Sequence, residues 1–150
     1  MNDIKSKLYS LCIAYVKQRI DTAKQAINDA QQAASEETKS SAGDKYETSR
    51  EMIQQVTDRS QAQLNEANKL LIALNQINVN AVYETAVPGS LIITNNGRFY
   101  IAISAGALTV NGDTYFAVSP ASPIGLSLRG QKTGGQFSLN GKEYLIENIA

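Results

Sequence analysis

Residues 117–149, "AVSPASPIGLSLRGQKTGGQFSLNGKEYLIENI", decide how the chain folds. The stretch opens on an apolar strand-like pair and breaks at Ser119-Pro120. Pro123, Ile124, Leu126 and Leu128 then read as one or two helical turns, with proline near the start and Gly130 just past the end. "QFSL" and "KEYLIENI" flank Asn140-Gly141, the strongest short-range sign of a β-hairpin.

Working outward, the same punctuation recurs. "SLIIT" turns at "NNG" into "RFYIAIS", and "ALTV" turns at "NGD" into "TYFAVS". The second half therefore predicts a small, twisted antiparallel sheet with one short helix packed on it. Tyr100, Tyr115, Phe116, Phe137 and Tyr144 are expected to pack that sheet rather than to line a ligand box.

Before Asn78 the composition changes completely. Gly43 is the only glycine of the first 77 residues, and all three prolines come later. Strong helix formers precede the step and strand and turn formers follow it, which predicts two domains, 1–77 and 78–150. Ile4, Leu8, Leu11 and Tyr15, then Val16, Ile20, Ala23, Ile27, Ala30 and Ala34, repeat at heptad-like spacing. Ile53, Val56, Ser60, Gln63, Ala67, Leu70 and Leu74 do the same, with Leu64, Leu71 and Ile77 beside them. Two such segments predict an antiparallel two-helix coiled coil, an α+β chain overall, with the tip near residues 38–45. About thirty residues per helix gives a length of roughly 45–50 Å.

Composition excludes several chemistries. The chain has no histidine, which removes Ser-His-Asp and Cys-His nucleophilic catalysis and the usual His-containing zinc sites. Acyl-carrier-protein synthase chemistry, which needs a Cys assisted by His, is excluded on the same ground. The single cysteine, Cys12, falls in the stripe Leu8, Leu11, Cys12, Tyr15, Val16 and is expected to be a packed core thiol. One cysteine allows no disulfide within the chain, which suits a reducing compartment. The 14 basic and 14 acidic residues split ten and ten before residue 78 and four and four after it. No basic arm argues for nucleic acid or an anionic membrane through bulk charge. The apolar "LYSLCIAYV" after Lys5 and Lys7 is short of the ~20 residues that span a bilayer and has no cleavage signal after it. The expectation is a cytoplasmic chain with no membrane partner.

A helical hairpin followed by this β unit resembles the bacterial Gre transcript-cleavage factors, which have an N-terminal coiled coil and an FKBP-like C-terminal domain. The residues that carry the resemblance are Ala117 to Ile149: a strand leading to Ser-Pro-Ile-Gly, a short helix ending at Gly, and a last hairpin ending "Y-x-I-x-x-I". A weaker likeness lies at the tip, where Tyr46 with Arg50-Glu51 echoes the family's Tyr-x-x-x-(Arg/Lys)-Glu. The resemblance implies binding to RNA polymerase at the rim of the secondary channel, with nucleic acid met only through the polymerase. It puts Ser122, Pro123, Ile124 and Gly125 at the polymerase contact. The same corner also reads as a helix start, with Ser122 closing it and Pro123 first, and both roles stay open. FKBP-type prolyl isomerisation is not implied: the resemblance is to the non-isomerase version of the fold, and Trp is absent.

The family's tip carries two acids that help hold a catalytic Mg²⁺ of the polymerase, seven and four residues before the tyrosine. Here those positions are Lys39 and Ala42. The remaining candidates are Asp44 with Glu47, and Glu36 with Glu37. Asp44 and Glu47 have the spacing of a capping box, in which Asp44 accepts backbone N–H bonds instead of reaching outward. Glu36 and Glu37 sit at the end of the first helix, where the macrodipole disfavours them. The tip loop of Lys39, Ser40, Ser41 and Gly43 is thus expected to be positioned like a catalytic finger without being equipped as one. The expected protein is a monomeric polymerase-binding regulator with no cofactor or metal of its own. Mg²⁺ of the polymerase enters only if the tip supports cleavage. Two other readings stay open: an active cleavage factor with a shifted acidic pair, and an adaptor that self-associates through the coiled coil and binds peptide on the β domain.

Overall fold

The computed structural model describes the backbone of residues 2–39 and 43–150, and the side chains of 2–36 and 49–150. The chain is α+β. Helices α1 (Asn2–Lys39) and α2 (Gly43–Asn75) precede six strands and a short helix. These are β1 (Leu91–Thr94), β2 (Gly97–Ile101), β3 (Gly106–Val110), β4 (Asp113–Val118), α3 (Pro123–Leu128), β5 (Gln136–Leu139) and β6 (Lys142–Ile149). By packing there are two compact units, Met1–Tyr15 with Leu71–Ala150, and Val16–Leu70. The compositional step near Asn78 falls inside the first.

The second unit is a helix pair with a thin seam. Val16, Ala23 and Ala30 in α1, and Ser60 and Ala67 in α2, are buried at heptad spacing. Small residues there bury little apolar area. Val56 is 41% exposed and Gln63 is exposed, so two residues expected in the seam face water. One buried position per heptad is all that such a narrow contact accommodates. Amide-to-carboxylate bonds at i,i+4, Gln25 to Asp29 at 2.8 Å and Gln54 to Asp58 at 2.9 Å, support the exposed faces.

In the first unit the sheet order is β3-β4-β2-β1-β6-β5. It is mixed, where hairpin logic predicted an antiparallel sheet: β2 and β4 run parallel, with Phe99 opposite Phe116. The chain skips one place on leaving β2, and the tight β3–β4 hairpin then returns β4 into it. Local turn signals specify each hairpin but not where it is inserted. The turns of the other two hairpins, Asn111-Gly112 and Asn140-Gly141, have positive φ at both residues, as a type I′ turn requires. The first hairpin turns one residue earlier than its Asn-Gly pair: Thr94 pairs with Gly97 across Asn95-Asn96. Those asparagines are otherwise engaged. Asn95 Oδ1 accepts from Leu145 N–H at 2.7 Å, and Asn96 Nδ2 donates to the Glu143 carbonyl at 2.7 Å.

One face of the sheet packs Ile92, Phe99, Ile101, Ile146 and Ile149 with Ala86 and with Leu128 of α3. An aromatic row crosses it: Phe137 stacks on Tyr144 at 4.9 Å, Tyr144 meets Phe99 at 6.1 Å, and Phe99 meets Phe116 at 6.0 Å. Alternating residues Leu91, Tyr100 and Ala117 are buried on the other face. There the first turns of α1 supply Leu8 and Cys12, both fully buried, while Leu11 is turned outward and 37% exposed.

Candidate functional site

The corner after β4 is built by Ser122. Its Oγ donates to the Ser119 carbonyl at 2.6 Å and accepts the Gly125 N–H at 3.1 Å. The Ser122 backbone is extended (φ −69°, ψ 159°), and Pro123 occupies the first turn of α3, where its missing N–H costs nothing. Ser119 Oγ accepts the Ala121 N–H at 3.0 Å, which pins the preceding turn. At the far end Arg129 N–H reaches the Gly125 carbonyl at 3.0 Å, and Gly130, at φ 76°, donates to Ala86 at 3.0 Å. Gly125 is required by space: a Cβ there would lie 2.1 Å from the Ser119 carbonyl oxygen.

Of the four predicted contact residues, Pro123 is exposed, Ser122 and Ile124 are half-buried, and Gly125 is buried. Ile124 packs against the sheet core. The Ser122 hydroxyl is spent on two internal bonds, so the corner presents outward the rigid proline ring and, three residues on, the exposed Leu126. Beside it lies a cleft of 230 Å³ lined by Val87, Pro88, Ile101, Pro120 and Arg129. The cleft was not anticipated from the sequence, because Val87 and Pro88 come to it from a segment more than thirty residues upstream.

Of the tip acids, Glu36 is exposed on the last turns of α1. The side chains of Glu37, Lys39, Asp44 and Glu47, the loop residues Ser40 and Ser41, and the surroundings of Gly43 lie outside the described residues, as does the capping box. Among the described residues, no three of His, Cys, Asp and Glu come together as a metal site. No helix among them is long and apolar enough to cross a membrane.

A second polar group, unremarked in the sequence, lies under α1. Lys5 is fully buried, its ammonium donating to the Ala81 carbonyl at 2.7 Å and lying 4.9 Å from the centre of the Tyr83 ring. Burial lowers its pKa from the ordinary 10.5. Nearby, burial raises the Cys12 thiol from 9.0 to about 11. The Tyr100 hydroxyl, also fully buried, is pushed up by burial and by the titratable neighbours Cys12, Tyr9 and Tyr83. Among the described residues it has no hydrogen-bond partner.

No family model matches the chain, and no curated protein matches it. Among solved structures, the chain is similar to one titled "Structure of the transcription factor Gfh1". The two are 17% identical over 89% of this chain and 90% of that one, with a TM-score of 0.34. At that score neither a shared fold nor a shared function follows.

Proposed function

We propose that this chain is a Gre-like transcription regulator that binds RNA polymerase at the rim of the secondary channel without stimulating efficient transcript cleavage. The observation that supports it is the corner itself. The residues that carry the Gre resemblance, Ala117 to Ile149, form one continuous unit from β4 through α3 to the β5–β6 hairpin. At its surface stands Pro123, held in place by Ser122 and Gly125. The part of the proposal that concerns cleavage rests on sequence: Lys39 and Ala42 stand where the family has its acids.

The test is binding of the purified chain to core RNA polymerase from the same organism. Pro123→Glu should abolish binding at micromolar concentration while leaving the fold intact. Absence of binding by the unaltered chain sinks the proposal. Stimulated cleavage in a backtracked complex, lost in Asp44→Ala with Glu47→Ala, would overturn its second half.

A further inference from the structure

Strand β3, Gly106–Val110, is an edge of the sheet, paired among the described residues with β4 alone. Its sequence, Gly-Ala-Leu-Thr-Val, has no charge and no proline, the devices that normally keep an edge from pairing. The hairpin closes on Val110 opposite Asp113 across a two-residue turn. In such a ladder Val110, Leu108 and Gly106 bond inward to β4, so Ala107 and Thr109 direct their N–H and C=O groups outward.

The edge is also one wall of a groove. A cavity of 420 Å³ lies between Thr109, Val110 and Asn111 on one side and Ser6, Lys7, Ser10 and Leu11 of α1 on the other. Both walls belong to the same compact unit. Leu11 is the exposed apolar residue of that wall, and Leu108, half-buried, points to the same side of the sheet as Val110. Lys7 stands at the turn end, its Nζ bonded to the neutral Asn111 Oδ1 at 3.2 Å and, among the described residues, to no carboxylate.

The geometry points to a peptide-binding groove: an extended segment of a partner protein adds antiparallel to β3, as in β-strand addition. Two alternate apolar side chains, opposite Val110 and Leu108, lie against Leu11. An acidic residue two positions before the first of them meets Lys7. Each feature of the partner has its own source: the outward backbone groups suit a strand, Leu11 suits apolar side chains on one face, and the exposed Lys7 ammonium attracts a carboxylate. This surface is separate from the α3 corner and stands or falls independently of polymerase binding.

The probe is a fluorescein-labelled peptide, Asp-Thr-Leu-Thr-Val-Thr amide, titrated into the full chain and followed by anisotropy and by amide hydrogen exchange. At saturation the Ala107 and Thr109 amides should exchange at least about tenfold more slowly. The same peptide N-methylated at the two threonines opposite Thr109 and Ala107 should not bind. Lys7→Glu should weaken binding of the Asp peptide by about two- to fivefold, as for an exposed ion pair, and leave an Asn version unchanged. No anisotropy change up to millimolar peptide overturns the groove, and so does equal binding of the N-methylated peptide. Equal affinity of the unaltered and Lys7→Glu chains overturns the acidic residue. Protection of Ala107 and Thr109 that needs no peptide and grows with protein concentration would assign the edge to a second copy of the chain instead.

Discussion

The Lys5 ammonium donates to the Ala81 carbonyl across 2.7 Å, joining residues 76 positions apart inside the first compact unit. A fully buried lysine carries a desolvation cost that its one carbonyl and the Tyr83 ring only partly offset. Lys5→Ala leaves a void and an unpaired carbonyl and should cost about 2–4 kcal/mol. Lys5→Met keeps the stem, removes the buried charge, and should cost only about 1 kcal/mol. The folded pKa lies below the unfolded 10.5, so between the two values the unfolded chain binds more protons and stability rises with pH. Urea midpoints of Lys5 and Lys5→Met chains, both carrying Cys12→Ala, should therefore shift in favour of Lys5 as pH approaches 10.5 from below. A difference that does not change with pH would contradict the buried charge.

Cys12 has the opposite sign. Its folded pKa of about 11 lies above the ordinary 9.0, so its contribution is fully present below pH 9.0 and is lost as pH rises towards 11. Two pKa units correspond to roughly 2–3 kcal/mol. Across the window denaturant unfolding of the unaltered chain should weaken by that order more than that of Cys12→Ala, in which Tyr100 and Lys5 still titrate. Parallel losses in both chains would remove the thiol from the explanation.

Tyr100 carries a buried hydroxyl without a partner among the described residues. Tyr100→Phe keeps the ring packing and removes the unpaired group, so it should raise stability by about 1 kcal/mol with an unchanged m-value. A loss of the same size would mean that the hydroxyl is satisfied in solution.

At the α3 corner, variants can separate stability from the proposed contact. Gly125→Ala drives a methyl into the Ser119 carbonyl and should cost about 3 kcal/mol. At Gly112, where φ is 84° and nothing lies within 4 Å, the same change should cost only about 1 kcal/mol of backbone strain. Ser122→Ala loses a helix cap worth about 1 kcal/mol and should leave polymerase affinity close to unaltered. Pro123→Glu should do the reverse. Thermal unfolding and a polymerase binding titration on the same four variants check this pattern.

Much of the fold was legible because its signals are local. Pro123, Ser122 and Gly130 define α3 from one end to the other, and Asn111-Gly112 and Asn140-Gly141 mark their turns through the φ they tolerate. What escaped was set by partners far away in sequence. The parallel β2–β4 pair depends on where a finished hairpin is inserted, which no turn residue encodes. Asn96-Gly97 misled by one residue because Asn95 and Asn96 are held by β6, nearly fifty residues downstream. Leu11 fits the apolar repeat as well as Leu8 does, yet one is buried and the other exposed, since the sheet covers only part of the helix. Lys5 reads as an ordinary surface charge until Ala81 and Tyr83 are seen around it. The helix start at Ser122 and Pro123 was readable from local residue order, and a contact role for the corner came only from the resemblance, whereas the adjoining cleft and the β3 groove join segments that only the folded chain brings together.

β6 has two partners in succession: its first half pairs with β5 and its second with β1, with Glu147 bulged out where Thr94 faces Ile146 and Ile93 faces Asn148. β5 lies across a two-residue turn, but β1 lies some fifty residues earlier. Closing that loop carries a larger entropy cost than forming the three hairpins or α3 from neighbours. One strand thus joins a local and a distant part of the chain, and on loop-closure grounds it should zip onto β5 before it captures β1.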